Sequence, residues 1–246
     1  MRLSLAEGAV GVSAIAACIA ACHEGFMKLH PRHGWAVTPR DAVVLQQDLR
    51  GEIDTSRPLS LPDVRLIAGV DVSVKNGLSR AAVVVTSLPD FAVIETVLAT
   101  RPTPFPYVPG LLSFREGPVL EEAFGKLGTE PDVFIFDGMG IAHPRRIGIA
   151  SHMGLWLEKP TIGCGKTLLV GRFEALGLKK GAAAPLVDKG ETIGVALRTR
   201  ERVSPVFISP GHRIDLASAV AVTLAATTRF RLPEPIRLAH AAAGTL

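Results

Sequence analysis

The chain is short of cysteine, nearly devoid of tyrosine, and lacks any apolar run long enough to span a bilayer. Its three cysteines, Cys18, Cys22 and Cys164, are odd in number. No disulfide framework is visible, which suits a reducing cytoplasm. Cys18-x-x-x-Cys22-His23 has no second half-site at zinc-finger spacing, which argues against a structural zinc. The apolar stretch from Ala9 to Cys22 is shorter than the ~20 residues that cross a membrane. No internal repeat and no low-complexity tract interrupts the sequence. Charge is also modest: a formal net charge of +4 permits an anionic partner without requiring one.

What remains is a chain of 246 residues with 48% hydrophobic and 20% charged side chains, enough to bury a substantial core. Residues 1–26 stand apart. Ile19-Ala-Ala-Cys22 is similar to a lipoprotein cleavage site, but Arg2 is the only side-chain cation before the apolar stretch, and Glu7 follows it. The expectation is a frayed helix or an upstream extension, with Met27 as an alternative start and residues 27–246 as one catalytic domain.

Element signals then follow in order. Thr38 before Pro39 marks a helix start, and Ala42 to Leu45 lead on to Leu49. Residues 53–62 read as a loop. Leu66–Val74, Ala81–Thr86 and Phe91–Ala99 read as strands, separated by Asn76-Gly77 and Leu88-Pro-Asp90 turns. A proline-rich loop, Arg101–Pro109, precedes a helix from about Phe114 to Leu127. Val133–Asp137 is a continuous apolar strand, and a helix from about Arg145 to Leu157 and a strand at Pro160–Gly163 follow. Lys179–Lys189 reads as a loop. Beyond it come a hairpin, Thr192–Leu197 with Val206–Ser209, and a helix at Asp215–Thr228. Three antiparallel strands, then helix, strand, helix and strand, is the order of a ribonuclease-H-like α/β domain: a single mixed sheet flanked by helices. In that order the first and fourth strands are neighbours, so Asp71 and Asp137 face each other.

Three acids stand out: Asp71 in Ile67-Ala-Gly-Val-Asp71-Val, Glu116 in Ser113-Phe-Arg-Glu116, and Asp137 after Val133-Phe-Ile-Phe. A carboxylate in or at the end of a buried strand is costly without a compensating cation, so the three point to a shared divalent metal. Each has a plainer alternative. Asp71 reads also as an edge-strand acid, Glu116 as half of a capping box, and Asp137 as a strand-ending turn residue.

The motif set adds specificity. Val-Asp71-Val, Pro106-Tyr-Val-Pro-Gly110 with Phe-Arg-Glu116, and Asp137-Gly-Met-Gly-x-x-His-Pro-Arg-Arg-x-Gly-x-Ala-Ser-His come first. Pro-Thr-Ile-Gly before Lys166, Pro-Gly-His212-Arg and Arg231-Leu-Pro-Glu-Pro-Ile-Arg237 complete the order. Over about Thr38 to Ala243 this resembles endonuclease V, the deoxyinosine-directed repair nuclease.

The resemblance implies a metal site of Asp71, Glu116 and Asp137 holding Mg²⁺, with Mn²⁺ able to substitute. It implies catalytic roles for those acids, for Lys166 beside the scissile phosphate, and for His212 beside the water or metal; the plainer readings are a solvated surface lysine and a structural histidine. The reaction implied is hydrolysis of the second phosphodiester bond 3′ to deoxyinosine by metal-activated water, leaving 3′-hydroxyl and 5′-phosphate without a covalent intermediate. A flipped base would be met by Gly138, Gly140 and His143, with Leu112 and Leu169 as apolar walls. Pro106, Tyr107, Val108, Pro109 and Gly110 would form a stiff wedge; the plainer reading is a rigid turn holding a core tyrosine. Arg145, Arg146 and Arg213 would contact phosphate or, alternatively, be ordinary solvated charges. Met139 and Thr167 depart from the family pattern, which has a polar residue between the glycines and a second basic residue after the lysine. The implied partner is damaged DNA, single- or double-stranded, acted on by a cytoplasmic monomer with no membrane association. The alternatives are an inosine-specific endoribonuclease with the same chemistry and a catalytically silent module that binds deaminated bases.

Overall fold

A computed structural model describes residues 27–244. The readings made for residues 1–26, including Cys18 and Cys22, lie outside the described residues. Helix α1 (Pro39–Leu49) starts where expected, with the Thr38 hydroxyl accepting from the Asp41 amide at 3.2 Å and proline at the first helical position. Strands β1 (Leu66–Lys75), β2 (Leu78–Ser87) and β3 (Val93–Pro102) form the antiparallel meander. Helix α2 (Leu112–Phe124), strand β4 (Val133–Phe136), helix α3 (Ile149–Leu157) and strand β5 (Thr161–Gly165) follow, with β4 and β5 parallel to β1. The sheet is completed by β6 (Ala183–Asp188), β7 (Glu191–Leu197) and β8 (Val206–His212), in the order β3-β2-β1-β4-β5-β8-β7-β6. Helices α4 (Leu216–Ala225) and α5 (Glu234–Gly244) close the described chain. The ribonuclease-H-like mixed sheet flanked by helices is therefore present, with β1 and β4 side by side at its centre.

Strand β4 shows why the centre is rigid. Phe134 and Phe136 pack with Val119, Phe124 and Trp156 under α2 and α3, while Val133 and Ile135 pack with Val222 and Ile236 under α4 and α5. All four β4 side chains are essentially fully buried. Each such burial is worth roughly 1.5–3 kcal/mol, so a four-residue strand is anchored on both faces. The residue that follows it, Asp137, inherits that fixed position.

Two expectations about elements are corrected. Lys179–Lys189 is not merely a loop, because β6 lies within it and pairs with β7 through a two-residue turn whose Lys189 and Gly190 both have positive φ. Pro185 obscures the strand, yet β6 is the sheet edge, where proline is tolerated. The helix expected from Arg145 begins only at Ile149. Arg146 adopts φ +62° and Gly148 is extended, so the chain turns before it winds. Helix α5, not foreseen as a helix, lies across β1 and β2, with Ala239 and Ala243 against Ala82 and Val84.

Gly69 makes that last contact possible. A Cβ placed there would lie 2.0 Å from the Pro235 carbonyl oxygen, so any side chain would lift the start of α5 off the sheet. Overpacking of this kind costs about 1–3 kcal/mol, and about 2–4 °C of melting temperature is lost per kcal/mol in a domain of this size. Gly69→Val should therefore lower the melting temperature by roughly 2–12 °C in a thermal scan. An unchanged transition would contradict the close approach.

Candidate active site

The β1–β4 register sets the first pair of acids. Val70 is opposite Phe136, and the Asp137 amide donates to the Val70 carbonyl at 2.9 Å. Asp71 and Asp137 thus leave the sheet together at the same end. One ligand atom from each, with one from His240 of α5, lie within 4.8 Å of one another. His240 Nδ1 stands 2.6 Å from Asp71 Oδ2, and the Lys166 ammonium forms an ion pair with Asp137 Oδ2.

Glu116 comes from α2 toward the same charges. Part of the residue still meets solvent, but its carboxyl pKa is pushed up to about 8, first by burial and then by the charges of Asp71 and Asp137. Asp71 is also raised, mainly by burial and next by Asp137, while the His240 hydrogen bond opposes the shift. The capping-box alternative for Glu116 fails, because Ser113 lies inside α2 and its hydroxyl meets His152 instead. Hard oxygen donors crowded with too little positive charge fit a divalent cation. Asp71, Asp137 and His240 are the side chains whose ligand atoms already lie together to hold it, while Glu116 stands outside that group but near enough to feel the two aspartates.

Beside this cluster opens a pocket of about 430 Å³. Its walls include Tyr107, Val108, Pro109, Gly110 and Leu112 from the proline-rich segment and Gly138 and His143 from the turn after β4. Lys166, Thr167 and Leu169 complete the far side, and Met139, packed against Gly165, fills the floor. Asp137 and Lys166 line both this pocket and the acidic cleft. Tyr107 is 71% exposed, so the core-tyrosine alternative is excluded.

Several residues expected at the surface of the site hold it together instead. The Gly110 carbonyl accepts from Gln46 Nε2 at 3.1 Å, His143 Nε2 at 3.0 Å and Arg145 Nη2 at 2.6 Å. His143 has a pKa lowered to about 4, mainly by burial and then by Arg145, so it is a neutral donor at pH 7. Arg146 is paired with Asp188 at 2.8 Å and Glu191 at 2.7 Å, tying the β6–β7 turn to the loop after β4. Its placement makes it a clamp between loops, not a free phosphate contact. Gly140 does not line the pocket: its Cα faces the Pro210 carbonyl, where a Cβ would meet oxygen at 2.0 Å. Pro106 is exposed and is not among the residues lining the pocket.

His212 and Arg213 were expected at the site and stand elsewhere. Strand β5 runs from Thr161 toward Lys166, and His212 pairs with Thr161, at the end of β5 remote from the lysine. There His212 Nδ1 accepts from the Asp54 amide at 3.3 Å, and Arg213 donates to the Glu158 carbonyl at 2.6 Å and pairs with its carboxylate. The histidine that does reach the acids, His240, was missed although it follows the Arg231–Arg237 motif by three residues. Gln46 was missed too; it shares a buried helical face with Ala42 and Leu49.

A carboxylate cluster and an ammonium beside a pocket of about 430 Å³ is an arrangement that suits a hydrolase acting on phosphoesters. Comparison with known proteins gives the family. The family model for endonuclease V matches residues 47–241. Endonuclease V of Nostoc punctiforme is 50% identical over 215 residues, covering 87% of this chain and 97% of its own. The crystal structure of endonuclease V from Bacillus subtilis superposes with a TM-score of 0.84 at 36% identity, covering 88% of this chain and 95% of that one. Ciona intestinalis endonuclease V, solved with a 24mer DNA containing an inosine followed by a ribo-adenosine, gives 0.71 at 26% identity, with coverages of 83% and 95%. The chain belongs to the endonuclease V family, and so to the nucleases.

Glu116 generates a test. Its folded pKa of about 8 lies above the ordinary 4.5, so the folded protein retains a proton that the unfolded chain releases between those values. Its stabilising contribution is therefore full below pH 4.5 and is lost as pH rises through 8. With EDTA present, the denaturant midpoint should fall over that window, and Glu116→Gln should flatten the fall. Identical profiles for both proteins would count against the crowded-acid geometry.

Proposed function

We propose that this protein is a DNA-repair endonuclease that cuts the second phosphodiester bond 3′ to deoxyinosine, leaving 3′-hydroxyl and 5′-phosphate. The observation that carries this reading is the sharing of Asp137 and Lys166 between the base-sized pocket and the acidic cleft. A nucleotide seated in the pocket would bring a neighbouring phosphate to the acids. The inosine-containing DNA bound by the Ciona relative supports the choice of base.

The residues divide the work. Tyr107, held between Pro106 and Pro109, fills the gap left in the duplex when the base is extruded. Leu112 and Leu169 sandwich the base, and Gly138 lets it approach the backbone. Asp71, Asp137, Glu116 and His240 hold Mg²⁺, for which Mn²⁺ can substitute. When bound, the ion supplies a Lewis acid and lowers the pKa of water. Lys166 places an ammonium where charge develops on the scissile phosphate. His240, its Nδ1 fixed by Asp71, has Nε2 as the ring nitrogen left to complete that metal site. The catalytic unit is residues 27–246, working as a cytoplasmic monomer; no helix among the described residues is long and apolar enough to cross a membrane. The ribo-adenosine in the Ciona ligand favours one second reading, cleavage of RNA at inosine.

An end-labelled duplex with one deoxyinosine, incubated with Mg²⁺ or EDTA beside an inosine RNA of the same sequence, tests the proposal. A single metal-dependent cut in the DNA is expected. Asp71→Ala and Asp137→Ala should each slow it by about 100-fold or more, exceeding the loss typical of an outer partner. Lys166→Ala should slow it by roughly 10²–10³-fold. Full activity in either aspartate variant would end the assignment, and faster cutting of the RNA would move it to the second reading.

A further inference from the structure

His33, His152 and Ser113 form one buried hydrogen-bonded chain. His33 Nδ1 lies 2.8 Å from the Gly34 carbonyl, His33 Nε2 lies 2.8 Å from His152 Nε2, and His152 Nδ1 lies 2.8 Å from Ser113 Oγ. His152 is fully buried and closes the Ala-Ser-His motif; Ser113 stands in the wall of the base-sized pocket. The chain thus runs from a half-buried histidine near the surface to the pocket.

Its polarity follows from its first link. A carbonyl oxygen only accepts, so His33 must carry its proton on Nδ1 and present a lone pair at Nε2. His152 must then donate from Nε2, which leaves its Nδ1 as an acceptor. Ser113 must donate its single hydroxyl proton to that nitrogen. Both imidazoles are neutral at pH 7, since burial lowers the pKa of each. With its one proton committed, the serine oxygen has only lone pairs left for anything else.

We propose that the His33–His152–Ser113 chain makes Ser113 an acceptor-only group of the base pocket and so a specificity-determining residue for a base with a ring N–H on its Watson–Crick edge. Hypoxanthine carries that proton at N1, whereas adenine and unsubstituted purine present a lone pair there. The lone pair would face the serine lone pairs unpaired. His33 and His152 act as positioning residues, because neither is among the residues lining the pocket. The inference rests on the reading of the pocket as a base site.

The test is a ratio, which cancels effects on the hydrolytic step. Single-turnover nicking is measured on two duplexes that differ only in carrying deoxyinosine or the deoxyriboside of unsubstituted purine. Wild-type protein should favour deoxyinosine. Ser113→Ala should reduce that preference by about tenfold, the effect of one lost hydrogen bond, chiefly by slowing the deoxyinosine substrate. Ser113→Thr, which keeps the hydroxyl, should restore it. His33→Phe, remote from the pocket, should reduce the preference several-fold by freeing the His152 tautomer, and gives an independent reading if Ser113→Ala does not fold. Equal loss on both substrates in the Ser113→Ala and His33→Phe proteins, or an unchanged ratio, would overturn the relay while leaving the nuclease assignment standing. Wild-type protein that nicks neither duplex would overturn the base-pocket reading and the relay with it.

Discussion

The repulsion among three carboxyl groups at one end of a sheet is the constraint that the rest of the molecule answers. Asp71 and Asp137 are delivered to that end by adjacent parallel strands, and Glu116 is brought to them from α2. Left alone, such a cluster would hold protons or push apart. The fold keeps it instead by burying β4 on both faces and by setting Lys166 and His240 against the two aspartates. Two cationic or proton-bearing groups against three acids leave a deficit that a divalent ion fits.

The same constraint explains the placement of parts far apart in sequence. Helix α5 lies across β1 only because position 69 lacks a side chain, and that approach is what lets His240 reach Asp71. On the other side, one carbonyl, that of Gly110, gathers donors from α1 and from the turn after β4. Three donors on one acceptor fix the segment bearing Tyr107 while leaving the ring itself outside. A rigid base beneath an exposed aromatic suits insertion into a duplex better than a mobile loop would, since less ordering is required on binding.

Much of this was legible in the amino-acid order. Asp71 and Asp137 could be found because each interrupts or ends an apolar run, where a charge needs a reason to be present. The topology followed from strand and turn signals, above all Asn76-Gly77. What could not be read was geometry between elements. His212 follows a glycine in a motif-like setting, and nothing local reveals that the β5–β8 register carries it to the wrong end of the strand. His240 sits on an alanine-rich helix whose docking depends on a glycine about 170 residues away, so the motif three residues before it does not show what the histidine reaches. Arg146 and Arg213 look like free cations until Asp188, Glu191 and Glu158 are placed beside them. Strand β6 was hidden by Pro185, whose tolerance depends on its lying at an edge.

The central claim, that the crowded acids and His240 form one divalent-metal site, is tested most directly by crystals grown with Mn²⁺ and measured at the manganese absorption edge. The account predicts one anomalous peak between Asp71 and Asp137, within coordinating distance of both and facing Glu116 and His240. A protein whose acids remain clustered but whose manganese binds elsewhere, or not at all at millimolar concentration, would contradict it.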